Sequence, residues 1–245
     1  MSKNVLKRIT NCDMKAIRSL QLDKLGIHIQ FDESNIMVAR AIIIGPKDTP
    51  YEDGIYCFHI EFPTDYPFSP PRVRYVSTSK IRVHPNLYVG HSSMNYRGKV
   101  CLSVINTWSG PKWSTIMNIA SIMMSVQSLL DANPLRNEPG YESVKGDQTD
   151  AYNTIVAYNN YKQCMLVNGN LFPQSSFLSG EYDDFNEIIH NHFKENKDKI
   201  TERLVTLTHK FPNPLNATHA TYRLTQTINY SQVYTQWNQI DWESI

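Results

Sequence analysis

The hydrophobic period changes several times along the chain. Over residues 3–20, Val5, Leu6, Ile9, Cys12, Ala16, Ile17 and Leu20 recur on one helical stripe, which predicts an amphipathic N-terminal helix. Lys3, Lys7, Arg8, Lys15 and Arg18 fall mostly off the stripe, as a solvated face or a docking face for an acidic partner. From Ile27 the period becomes two, and residues 27–31, 37–44, 55–62 and 73–76 read as four strands, with Phe58, Ile60 and Phe62 on one face. Their connections are too short for crossover helices, so the strands form an antiparallel meander. Past Ser114, a suitable N-cap, the residues Ile116, Ala120, Ile122, Met123, Met124, Val126, Leu129 and Leu130 predict a helix apolar on most sides, and therefore buried. Residues 152–167 and 183–210 return to a helical period, the second with a stripe from Phe185 to Leu207. The last stretch, from Phe211, is polar but carries Tyr222, Leu224, Ile228, Tyr230, Val233, Tyr234, Trp237 and Trp242, too aromatic for a solvated linker.

Composition narrows the function classes. The 245 residues carry a formal net charge of +1, which argues against a dedicated nucleic-acid or membrane-surface role. The chain shows neither an apolar run of membrane-spanning length nor a signal-peptide core at its start, so a reducing compartment, cytosol or nucleus, is expected. Four cysteines (Cys12, Cys57, Cys101 and Cys164) lie scattered with no CxxC pair, a poor fit to a zinc site or a disulfide framework. No metal and no cofactor are expected.

The chemistry concentrates between His84 and Trp113, where Pro and Gly interrupt every regular period. A loop this long is functional or disordered, and its Leu87, Tyr88, Val100, Leu102, Val104, Ile105, Trp108 and Trp113 want burial. It reads as an ordered loop presenting one thiol, that of Cys101 after Gly98-Lys99. Cys12, Cys57 and Cys164 sit in periodic segments and read as small buried hydrophobes.

Five landmarks stand in order: GPKDTPYEDGIY, FPTDYPFSPPRV, HPN, GKVCLS, and KWS before the buried helix. In this order the chain resembles the ubiquitin-conjugating enzymes across about residues 1–170, and TWSGPKWS and NPLRNEPGYE look most like the large Z-type members with a C-terminal extension. The resemblance implies an α+β fold with an N-terminal helix, a four-stranded antiparallel sheet, a central buried helix and additional C-terminal helices. It divides the chain into a catalytic core, 1–170, and a C-terminal helical extension, 171–245, packed on the core. The extension is expected to lie away from Cys101.

The resemblance also implies a role for each site residue. Cys101 would carry ubiquitin or a ubiquitin-like modifier as a thioester received from an activating enzyme, then transfer it to a lysine amine or a ligase. Thiol–thioester exchange needs a thiolate but no histidine base. Asn86 would donate to the oxyanion that develops when the amine attacks, or else fix the loop through the backbone. Glu138 would orient or deprotonate the amine, or else stand as a solvated loop acid. His84, Pro85 and Asn133 would shape the surroundings. Lys7, Arg8, Phe68 and Ile116 would meet partners, Phe68 and Ile116 from two adjacent loops that dock ligases. Three departures are visible: His84 and Cys101 stand seventeen positions apart, with extra residues within 88–97; Ser103 stands where many members have an acid; and Thr115 replaces the usual Pro. Two other classes remain open: a cysteine hydrolase with His84 or His91 as base, and a scaffold that uses the fold without turnover.

Overall fold

The computed structural model describes residues 3–77, 79–89, 98–171 and 180–245. The chain enters through α1 (Lys3–Arg8), a π-helical turn (Ile9–Asp13) and α2 (Met14–Ser19). The wide turn changes which residues face inward. Val5 and Ile9 are buried as the stripe predicts, but the next inward position is Asp13, while Cys12 and Leu20 are exposed. A regular 3.6-residue period has no place for that shift.

Four strands follow: β1 (Ile27–Phe31), β2 (Val38–Ile44), β3 (Ile55–Glu61) and β4 (Arg72–Val76), in sheet order β1-β2-β3-β4 and all antiparallel. Their inner face, with Ala39, Ala41, Ile43, Tyr56, Phe58, Ile60, Val73 and Tyr75, packs with α3 (Ile119–Leu129) in one hydrophobic cluster. The α3 helix starts later than its apolar pattern implies. Asn118, not Ser114, is the N-cap, accepting from Ser121 N at 3.0 Å, and Ile116 lies in the loop before it. Tyr66–Pro67, in the loop after β3, is cis.

Helix α4 (Asp147–Asn159) runs on into a π-helical segment (Asn160–Met165). Beyond it, α5 (Asn186–Lys210) and α6 (Tyr230–Asn238) cover the outer face of the sheet. There Ile42, Ile55 and Cys57 join Phe185, Ile189, Phe193, Ile200, Leu204, Val233 and Trp237 in a second cluster. The sheet is therefore buried on its inner face and, around Ile42, Ile55 and Cys57, on its outer face as well, while Gln30, Arg72 and Arg74 stay exposed. Polar contacts bind α5 to the loop before β3: His192 Nε2 lies 2.9 Å from Asp53 Oδ1, and Arg203 bonds Asp53 and, at 2.6 Å, Glu52.

The end of the chain is not wholly helical. Between α5 and α6 lies a two-stranded antiparallel hairpin, β5 (Leu215–His219) and β6 (Leu224–Ile228). Both strands are Thr-containing and half-wet, so their alternation is faint beside the helical stripe that precedes them.

Candidate active site

Cys101 follows a short extended run threaded between two others. Lys99 bridges to Arg74 of β4, and Leu87 bridges to Val100. Gly98 lets the run pass the sheet edge: its φ is +69°, and a Cβ there would stand 2.5 Å from the Tyr75 carbonyl oxygen. On the far side of the cysteine, Thr107 Oγ1 accepts from Leu102 N (2.9 Å) and lies 2.7 Å from the Val100 carbonyl oxygen, to which it donates. Both neighbours of Cys101 are thus held by one side chain.

Asn86 and Cys101 clasp each other. The Cys101 N–H donates to the Asn86 carbonyl (2.9 Å), and Asn86 Nδ2 donates to the Cys101 carbonyl (2.8 Å). The Asn86 N–H donates in turn to His84 Nδ1 (2.9 Å), which must therefore be the unprotonated ring nitrogen. Burial, reinforced by the Arg82 charge, holds His84 down at about 3, so it is a neutral acceptor that shapes the turn. With Nδ1 occupied, His84 offers no lone pair to act as a base at Cys101. Pro85 is buried beside it and its carbonyl accepts from Arg82.

The thiol is less presented than the loop reading expects: Cys101 is 1% exposed. Burial pushes its pKa up, Lys99 and then Arg82 pull it down, and Glu138 pushes it up. Arg82 sits between two rings, 3.8 Å from the centroid of Tyr88 and 4.1 Å from that of Tyr222. Glu138, half-buried, accepts a hydrogen bond from the Tyr222 hydroxyl. Tyr222 belongs to the turn of the β5–β6 hairpin, so the extension does not stay clear of the site. Most of it covers the far face of the sheet, but the hairpin comes round α4, where the His219 ring meets Tyr152 at 5.4 Å. Asn133 keeps to its own loop, its N–H donating to Asp131 Oδ1 at 2.6 Å. Of the stretch 88–97 that holds the extra residues, 90–97, with His91, lies outside the described residues.

The expected partner surface divides. Phe68 and Ile116 are 79% and 84% exposed. Their loops are tied together by Trp113 Nε1, which donates to the Pro67 carbonyl at 2.7 Å. Lys7 is exposed, but Arg8 turns inward to the Met117 carbonyl and to Asp13 at 3.8 Å. Asp13 Oδ1 accepts from Ile119 N (2.8 Å) and from the Tyr66 hydroxyl (2.7 Å), so one buried carboxylate fixes the N-terminal helix, the cis-proline loop and the start of α3 together. The outward basic face is left to Lys3, Lys7, Lys15 and Arg18. Sequence reading singles out none of Asp13, Arg82 or Thr107 and meets Tyr222 only as one aromatic of the extension, since each works through partners brought close only by folding.

A family model described as Ubiquitin-conjugating enzyme matches residues 11–159. The chain is 37% identical over 176 residues to Ubiquitin-conjugating enzyme E2 Z of Danio rerio, a match covering 66% of this chain and 51% of that protein. Against the E2 Z of Homo sapiens it is 37% identical over 177 residues, covering 66% and 47%. The Dual E2 ubiquitin-conjugating enzyme/E3 ubiquitin-protein ligase BIRC6 of Homo sapiens is 36% identical over 175 residues, covering 69% of this chain and 3% of that protein. The chain spans about half the length of the E2 Z relatives it matches.

Proposed function

The chain belongs to the ubiquitin-conjugating enzyme family, and on that premise we propose that Cys101 accepts ubiquitin or a ubiquitin-like modifier as a thioester and passes it on. The observation that carries the reading is the reciprocal Asn86–Cys101 clasp, which keeps an amide donor beside a cysteine that, among the described residues, is the one set in a shaped loop. In loading, the Cys101 thiolate attacks the carbonyl carbon of the thioester on an activating enzyme, and the enzyme's own sulfur leaves as thiolate. In discharge, a neutral lysine amine attacks the new thioester. The oxyanion that develops takes a hydrogen bond from Asn86, Cys101 Sγ leaves as thiolate, and the surplus amine proton passes to Glu138 or water.

A ligase and a protein substrate complete the partners, with Lys7, Phe68 and Ile116 as the docking side chains and Arg8 as a brace behind them. Residues 1–170 act as the catalytic core and 171–245 as an extension upon it. The working compartment in this reading is the cytosol or nucleus. Burial of Cys101 favours the scaffold as the second reading, while the neutral, occupied His84 weighs against a hydrolase that uses His84 as its base. Incubation with activating enzyme, ATP and ubiquitin, followed by electrophoresis without reductant, separates the two. A thiol-sensitive shift supports conjugation; its absence with every activating enzyme and modifier tried supports the scaffold.

A further inference from the structure

The turn of the β5–β6 hairpin is built in a costly way. Tyr222 and Arg223 follow one another with φ of 60° and 51°, a left-handed conformation that non-glycine residues seldom adopt. It is held from behind: His219 Nδ1 accepts the Thr221 N–H (3.2 Å), the His219 ring packs on Tyr152, and the Tyr152 hydroxyl donates to the Arg82 carbonyl (3.1 Å). The outcome is one side chain delivered to one place. The Tyr222 ring stacks on Arg82 and its hydroxyl donates to Glu138 Oε2.

We propose that Tyr222 is a positioning residue for the transfer step: its hydroxyl fixes the Glu138 carboxylate on the side of the site where Arg82 lies, so that the extension completes the lysine-accepting side. The inference rests on the reading of Cys101 as the thioester carrier. Glu138 stands in a loop followed by Pro139 and Gly140, where a carboxylate alone would sample several rotamers. With Oε2 held, Oε1 carries no hydrogen bond among the described residues and keeps its lone pairs for an amine. Burial, the hydrogen bond and the Glu138 charge hold the Tyr222 phenol well above its ordinary value against the pull of Arg82, so it remains a donor. As the C–N isopeptide bond forms and the C–S bond breaks, the amine proton moves to Oε1 and the tyrosine keeps its own.

Tyr222→Phe removes the hydroxyl and keeps the ring over Arg82. The Cys101 thioester is purified, and its discharge is followed over a range of free lysine concentrations on the loaded fraction alone, so a partly folded variant still reports. Loading and hydrolysis by water should match the parent within about twofold. Discharge at low lysine should fall about tenfold, the scale of one hydrogen bond to a charged group. Glu138→Gln should lose at least as much, and the double variant no more than Glu138→Gln alone. Discharge at the parent's rate or faster overturns the proposal, as does a double variant whose losses multiply. If the parent itself forms no thioester, the conjugation reading falls; if the parent forms one and Tyr222→Phe discharges normally, only this inference falls.

Discussion

Asn86 Nδ2 carries two protons and commits one to the Cys101 carbonyl. The second is the one an oxyanion would take. Asn86→Ala should therefore slow discharge onto lysine by roughly 100- to 1,000-fold, the cost of losing one such donor in other acyl transfers, and slow loading far less. Separate single-turnover measurements of the two steps decide it, and equal losses would leave Asn86 a purely structural clasp. The thiol makes a second residue-scale prediction. Because burial raises the Cys101 pKa while Lys99 lowers it, Lys99→Ala should raise it further. Loading by the variant should lag the parent near neutral pH, and the gap should close as pH rises and both thiols ionise; a gap constant with pH would assign Lys99 to docking instead. Cys101, Asn86 and His84 were legible in the sequence because two short motifs name them in order. Arg82 and Tyr222 were not: they sit among ten arginines and fourteen tyrosines, and only folding joins positions 84 residues apart, as at Glu138 and Tyr222.

Among the elements, the four strands were legible because β-branched and aromatic residues alternate between punctuated loops. The continuous apolar run Ala41–Ile44 in β2 carries a further signal, burial on both faces, which the outer cluster of α5, α6 and the π-helical segment explains. The π turn at Ile9–Asp13 and the β5–β6 hairpin leave no mark in the sequence pattern, for opposite reasons. One hides inside a good helical stripe, and the other has too little burial to show a stripe at all. Beside the apolar packing of the outer cluster, the polar contacts between core and α5 centre on Asp53. Burial raises its pKa, but His192 and Arg203 more than offset this and hold it below the ordinary carboxylate value. A carboxylate lowered in this way contributes stability that is present above its unfolded pKa and lost as pH falls through its folded one. Asp53→Asn suits the positive φ of 61° at this position, so it removes charge without backbone strain. It should cost about 2 kcal/mol near pH 7, a fall of roughly 4–8 °C in melting temperature. That difference should shrink as pH drops through and below the carboxylate range; a difference that persists there would mean packing, not charge, joins the two parts.

At the scale of the whole molecule, the two clusters make one body with the sheet as its shared wall: α3 fills the inner face, and α5 with α6 covers the outer. The family match ends at residue 159, so the resemblance had least to say where the hairpin turns back toward Cys101. What the sequence could offer there was the aromatic content that predicts packing, with nothing to fix its direction. The folded chain buries Cys57 and Cys164 fully, pushing Cys164 up to about 12 and Cys57 higher still, and leaves Cys12 exposed. Burial raises the thiols of Cys57, Cys101 and Cys164 alike, with Lys99 and Arg82 pulling only Cys101 back down, and the central claim is that Cys101 alone carries the modifier. Its most direct test is the intact mass of Cys101→Ser after charging with activating enzyme, ATP and modifier, beside Cys12→Ser, Cys57→Ser and Cys164→Ser. Cys101→Ser should yield no thiol-cleavable adduct, at most an oxygen ester that survives thiol, while the other three load as the parent does. A thiol-cleavable adduct of full mass on Cys101→Ser would contradict the account.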